Sequence, residues 1–191
     1  LPAEYNVIGG GGYCAGGSGV VIGLDGSQTG VNYQLFNGAT AVGAPVAGGG
    51  TVSFGAQLAA GTYSVLATNA TTGCTRAMSG TSSISINALP VIYAVTGGGS
   101  YCVDSRTGIP VGLSGSQSGV NYQLYNGGLE AGTAVSGTGG IITFGNQLTT
   151  GNYTVKGKDM STGCEVMMTG SKVITTDPLP TAYNVSGGGS Y

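Results

Sequence analysis

The residues of this chain best suited to covalent or metal chemistry are its four cysteines, Cys14, Cys74, Cys102 and Cys164. Zinc would need histidine or closely spaced thiolates, yet the chain has no histidine and its cysteines stand in two pairs whose members are about 60 residues apart. Disulfide formation is the chemistry this set supports. The direct pairing is Cys14 with Cys74 and Cys102 with Cys164, which loop-closure entropy would make worth roughly 4 kcal/mol each. Nucleophilic catalysis has little to work with. Without histidine no Ser-His-Asp triad can form, and no serine stands three residues before a lysine. The run Gly97-Gly-Gly-Ser100 lacks the following Gly-Lys-Ser/Thr and helix start that cradle phosphate, so it reads as a turning loop between strands.

The carboxylates do not form a repeated pair. Asp25 is matched by Ser114 in the second half of the chain, and Glu165 by Thr75, whereas a catalytic pair carried by a duplicated unit would recur in both copies. Calcium lacks clustered acids for the same reason. All three lysines, Lys156, Lys158 and Lys172, fall in the second half, which argues against a Lys-Asn isopeptide bond as a general device of the array. The chain is therefore expected to be neither an enzyme nor a cofactor or metal protein.

What positions these residues is a repeat. Tyr5-Asn-Val-Ile-Gly-Gly-Gly-Gly-Tyr-Cys14 recurs as Tyr93-Ala-Val-Thr-Gly-Gly-Gly-Ser-Tyr-Cys102 and begins again at Tyr183-Asn-Val-Ser-Gly-Gly-Gly-Ser-Tyr191. The copies are offset by 88 residues at Cys14 and Cys102, 89 at Gly26 and Gly115, and 90 at Phe54 and Phe144, so they differ by short loop insertions. This predicts two modules, 1–88 and 89–178, with 179–191 the start of a third. Such self-similarity marks an array in which each module adds length. Because the sequence opens within a repeat, it is expected to be an interior piece of a longer chain.

Only 12 of the 191 residues are charged, seven acids against five bases. That excludes a nucleic-acid surface, and no cationic amphipathic helix or apolar run of roughly 20 residues is present to enter a membrane. Glycine reaches 40 residues, yet Val, Ile, Leu and Tyr fall in alternating runs bounded by Gly, Asn and Ser, the pattern of short antiparallel strands. In the first module strands are predicted near 5–8, 20–24, 31–36, 41–46, 51–54, 62–68 and 82–86, with a short extra pairing near 75–78. About seven strands in some 90 residues, without significant helix, is the count of a β-sandwich.

The segments Leu58-Ala-Ala-Gly-Thr-Tyr-Ser-Val65 and Leu148-Thr-Thr-Gly-Asn-Tyr-Thr-Val155 resemble the tyrosine corner of immunoglobulin-like folds, which makes Tyr63 and Tyr153 structural. The stretch from Gly26 to Gly38 differs from its counterpart, Gly115 to Gly127, at only two of thirteen positions. Together with Tyr-Cys-x-Gly-Gly and Thr-Gly-Cys-Thr, this order resembles the immunoglobulin-like tandem repeats of giant cell-surface adhesins and appendage proteins of Bacteroidota, including gliding-type adhesins exported by the type IX system. The resemblance implies an all-β array of tandem immunoglobulin-like sandwiches, extracellular and part of a surface appendage. Its partners would be neighbouring repeats of the same chain, other copies bundled alongside, and a surface glycan or a prey- or host-cell ligand. The chain departs from the usual pattern in carrying Leu35 and Leu124 where strand C often holds tryptophan.

In such a sandwich strands B and F run the same way, so a cysteine before B and one after F lie at opposite ends of a module. The resemblance thus favours an inter-module bond, Cys14–Cys164, with Cys74 and Cys102 reaching to modules on either side. The within-module pairing stays open beside it. The function this implies is a disulfide-stabilised shaft; the alternative is an adhesive module binding carbohydrate or protein, marked by exposed aromatics such as Tyr13 with Tyr101 or Phe36 with Tyr125.

Overall fold

The computed structural model describes residues 1–105 and 107–189, and within them the chain forms two compact units, Leu1–Leu89 and Pro90–Tyr191, without helix. The first unit contains β1 (Val7–Gly9), β2 (Gly11–Cys14), β3 (Val20–Leu24), β4 (Val31–Asn37), β5 (Thr40–Ala47), β6 (Val52–Gln57), β7 (Gly61–Asn69), β8 (Thr75–Ala77) and β9 (Ser82–Asn87). They make a small sheet ordered β1-β3-β6 and a larger one ordered β2-β9-β7-β4-β5, with β8 added along β7. The second unit repeats this with β10 (Val95–Gly97), β11 (Gly99–Cys102), β12 (Ile109–Leu113), β13 (Val120–Asn126), β14 (Leu129–Glu130), β15 (Val135–Ser136), β16 (Ile142–Gln147), β17 (Gly151–Asp159), β18 (Glu165–Met167) and β19 (Lys172–Asp177). Each unit is an immunoglobulin-like β-sandwich.

Side-chain alternation explains why these segments become strands and which way they face. Along β4, Val31, Tyr33 and Leu35 are buried while Asn32, Gln34 and Phe36 point outward; along β7, Tyr63, Val65 and Ala67 are buried between less buried neighbours. With Ile22, Leu24, Val52, Met78 and Ile84 they fill the space between the sheets, each large aliphatic contributing about 1.5–3 kcal/mol by leaving water. The second core repeats this with Val111, Leu113, Tyr122, Leu124, Tyr153, Val155 and Ile174.

A buried tyrosine must satisfy its hydroxyl, and all four do so locally. Tyr63 donates to the Ala59 carbonyl at 2.8 Å and Tyr153 to that of Thr149 at 2.6 Å, each pinning the loop before its own strand. Tyr33 and Tyr122 accept from the amides of Gln28 and Gln117, both at 2.8 Å, closing the turn ahead of β4 and β13. Burial pushes the phenols of Tyr122 and Tyr153 up from their ordinary value, so these groups stay neutral donors and acceptors.

The glycine run is not the loop expected from sequence. It is where one chain segment leaves the small sheet and joins the large one: β1 pairs with β3, and after Gly10 the chain continues as β2, which pairs in parallel with β9. Gly9 has φ +94° and packs so closely on β3 that a Cβ there would lie 2.1 Å from the Val21 carbonyl oxygen. At Gly10 a Cβ would lie 2.0 Å from Ser82 Oγ, whose hydroxyl donates to the Gly9 carbonyl at 2.7 Å. The second unit crosses in the same way, with Gly97 at φ +87° and its hypothetical Cβ 2.0 Å from the Pro110 carbonyl oxygen. Glycine is required because backbone fills the place of a side chain.

Two further features depart from the sequence pattern. The long β5 of the first unit corresponds to two short pieces, β14 and β15, separated at Gly132, which has φ +76°. The third copy of the repeat motif forms no strand among its described residues; its Ser190 and Tyr191 lie outside the described residues.

Candidate functional site

The cysteines lie at the ends of strands. Cys14 closes β2 opposite Asn87 on β9, and Cys74 sits at the far end of β7, its carbonyl accepting from the Asn69 amide at 2.9 Å. Gly11, Ile84 and Gly61 share one level across β2, β9 and β7, so Cys14 lies beyond the start of β7 and Cys74 beyond its end. At about 3.3 Å per residue they are roughly 35 Å apart along the strands. Bridged Cα atoms sit about 4.4–6.8 Å apart. The same registers separate Cys102, opposite Asp177, from Cys164, whose carbonyl accepts from the Asp159 amide. Strand direction and register thus stand against pairing within a module, Cys14 with Cys74 and Cys102 with Cys164. Cys14 and Cys164 are disulfide-bonded, while Cys74 and Cys102 carry free, exposed thiols.

The candidate aromatics separate into two kinds. Tyr13 and Tyr101 pack against their cores, and their hydroxyls donate to the carbonyls of Leu58 and Leu148, so both tie β2 or β11 to a loop. Phe36 and Tyr125 instead point outward from the large sheet, half-buried. Their surroundings differ. Around Phe36 the neighbouring strands present Ser64, Leu66, Thr68 and Thr75, whereas the corresponding positions around Tyr125 hold Thr154, Lys156, Lys158 and Glu165.

Register brings this charged set together. Gln123 faces Lys156 and Asn121 faces Lys158 across β13 and β17, and Lys158 faces Glu165 across β17 and β18. Glu165 Oε2 accepts from Lys156 Nζ at 3.3 Å and its Oε1 from Lys158 Nζ at 3.1 Å. Lys156 Nζ also stands 5.7 Å from the centre of the Tyr125 ring, within cation-π range. The hydrogen bonds from Lys158 and Lys156 hold the Glu165 carboxyl below its ordinary range, and the Glu165 hydrogen bond raises Lys156. These groups line a shallow depression of about 250 Å³ together with Glu130 and Met160. Sequence reading missed it because the acids and lysines were weighed singly. The available signal was Lys156-x-Lys158, alternate and hence outward positions, changed from Leu66 and Thr68 in the first copy.

One acid of this module serves its turn instead. Asp159 Oδ1 accepts from the Ser161 hydroxyl and from the amides of Ser161 and Thr162, at 2.6, 2.8 and 2.9 Å, and these bonds, the hydroxyl first, lower its carboxyl from 3.8 to about 2. Asn69 makes the equivalent bonds to Thr71 and Thr72 in the first module. Folding favours the charged Asp159, so its contribution is complete above pH 3.8 and is lost as pH falls through about 2. In an acid titration followed by NMR, the Ser161 and Thr162 amides are expected to shift with a midpoint near 2 while those of Thr71 and Thr72 stay still. A midpoint near 4 for Ser161 would show that the turn does not hold the carboxylate.

Among the described residues no group of three or more His, Cys, Asp or Glu is gathered to hold a metal, and no helix is long and apolar enough to cross a membrane. No protein-family model matches the chain, and no curated protein matches it. Solved structures do. The fibronectin(III)-like modules of CbhA from Clostridium thermocellum superpose with a TM-score of 0.47 at 14% identity, over 96% of this chain and 100% of that one. The ectodomain of mouse nectin-like molecule 4, Ig1 to Ig3, gives 0.33 at 12% identity, over 96% and 67%. SGBP-B of the Bacteroides ovatus mixed-linkage glucan utilization locus, in complex with a mixed-linkage heptasaccharide, gives 0.27 at 17% identity, over 87% and 42%. The likeness to these proteins concerns the fold alone.

Proposed function

We propose that this chain is part of the shaft of a long extracellular adhesin or surface appendage, in which tandem immunoglobulin-like modules are stapled by disulfides to their neighbours. Within the chain the staple is Cys14–Cys164. The observation that carries this reading is the distribution of oxidised and free cysteines. Cys14 and Cys102 are counterparts, as are Cys74 and Cys164, and in each set one member is disulfide-bonded and the other free. A rule linking the β2 cysteine of one module to the post-β7 cysteine of the following module uses the bonded pair and leaves Cys74 and Cys102 for modules on either side. The bland surface of Ser, Thr, Asn, Gln and Gly suits such a role, since few charges stand in the way of close lateral packing of other copies.

The test is peptide mapping without reduction. A cross-linked peptide containing Cys14 and Cys164 is the expected product; one joining Cys14 to Cys74 would overturn the stapled shaft. Electron microscopy of the intact parent polypeptide would then show whether these modules lie along a filament.

A further inference from the structure

We infer that the outer face of the larger sheet in the second module is a binding site for a neutral, polyhydroxylated ligand, a glycan without charged substituents, with Tyr125 as its apolar platform and Gln123, Lys156, Lys158 and Glu165 as its polar contacts. This goes beyond the shaft reading and stands independently of it.

The argument begins with what the depression still has to offer. Lys156 and Lys158 each spend one donor on Glu165, and an ammonium has three, so each keeps hydrogens for a ligand. Glu165 accepts two bonds where a carboxylate has room for about four. Donors and acceptors therefore remain open around one half-buried aromatic ring, within the same depression of about 250 Å³. Charge decides among ligands. Two ammonium groups are balanced by Glu165 and Glu130, both of which line the depression, so an anion would meet carboxylates and a cation would meet lysines. A hydroxyl can donate to Glu165 and accept from Lys156 or Lys158 without bringing unbalanced charge. The C–H face of a pyranose ring can lie on Tyr125 in place of the Lys156 ammonium, which stands 5.7 Å from the ring centre.

The two copies make the contrast internal. Tyr125, Lys156, Lys158 and Glu165 occupy the positions of Phe36, Leu66, Thr68 and Thr75, while the buried faces of the same strands are nearly unchanged. The polar set is thus not needed to fold this sheet. Its first copy folds without it.

The experiment is an NMR titration of the whole 191-residue chain with uncharged hexasaccharides of β-1,3-glucan, β-1,4-glucan and α-1,6-mannan, with a heparin hexasaccharide and an acidic peptide as charged probes. The expected result is that at least one neutral sugar moves the amides of Gln123, Tyr125, Lys156 and Glu165 and leaves Gln34, Phe36, Leu66 and Thr75 in place. Tyr125→Ala and Lys156→Leu, the latter restoring the first module's residue, should each weaken binding by about tenfold or more. No shifts from any neutral sugar at millimolar concentration, equal shifts on both modules, or tighter binding of heparin or the acidic peptide would overturn the proposal. So would unchanged affinity in a folded Tyr125→Ala variant.

Discussion

Pulled by its two ends in an optical trap, the oxidised chain will release a contour length of roughly 140 Å, and the same chain after reduction roughly 670 Å. The ratio follows from the proposed Cys14–Cys164 staple, which leaves only the 13 residues before Cys14 and the 27 after Cys164 free to extend. Every strand from β3 to β17 lies inside the closed loop. The strands inside that loop would bear force only after the disulfide is reduced. Bonds within each module would instead release roughly 240 Å when oxidised, because the linker around Pro90 and both chain ends would stay free. An oxidised value near 240 Å, or no change on reduction, would sink the staple; Cys14→Ser should reproduce the reduced length without reductant.

Gly9→Ala in the first module, or Gly97→Ala in the second, is expected to cost its own module about 3 kcal/mol. Both glycines have a backbone conformation unfavourable to L side chains, and both sit where a Cβ would meet a carbonyl oxygen at 2.1 or 2.0 Å. That oxygen belongs to β3 or β12 and cannot swing aside as a flexible side chain would. For a domain of this size the loss corresponds to a fall in Tm of about 15 °C. The control is Gly38→Ala, at φ +59° with nothing within 4 Å of the added carbon, which should cost about 1 kcal/mol or less. Hydrogen exchange read separately in each module measures the effect. A Gly9→Ala cost no greater than that of Gly38→Ala would mean that the crossover is not closely packed.

Most of the sandwich is legible in the amino-acid pattern because β3, β4, β6, β7 and β9 each bury one face, and Tyr33, Leu35, Tyr63 and Val65 mark that face at every second position. β2 and β11 carried no such mark. In Gly-Gly-Tyr-Cys and Gly-Ser-Tyr-Cys one aromatic is the whole apolar signal, and the parallel partner that makes them strands lies some seventy residues away in sequence. The resemblance implies the strand direction that sets the two cysteines of a module at opposite ends, and the registers give that separation a distance. The depression around Tyr125 stayed hidden for a different reason: Lys156, Glu165 and Gln123 come from three strands, and only pairing registers show that they share one surface. Single residues weighed one by one looked like solubilising charges.

The parallel pairing of β2 with β9 has a mechanical meaning. β2 stands near the start of its module and β9 near the end, so opposite pulls on the two ends draw these strands past one another along their length. Their four paired positions, Gly11 to Cys14 against Ile84 to Asn87, then carry the load together. Antiparallel strands pulled from their open end would peel apart one bond at a time. The glycine crossover that cost the sequence its apolar signal thus turns the module's entry and exit into a shear joint, and the rupture force of the reduced chain reports its strength.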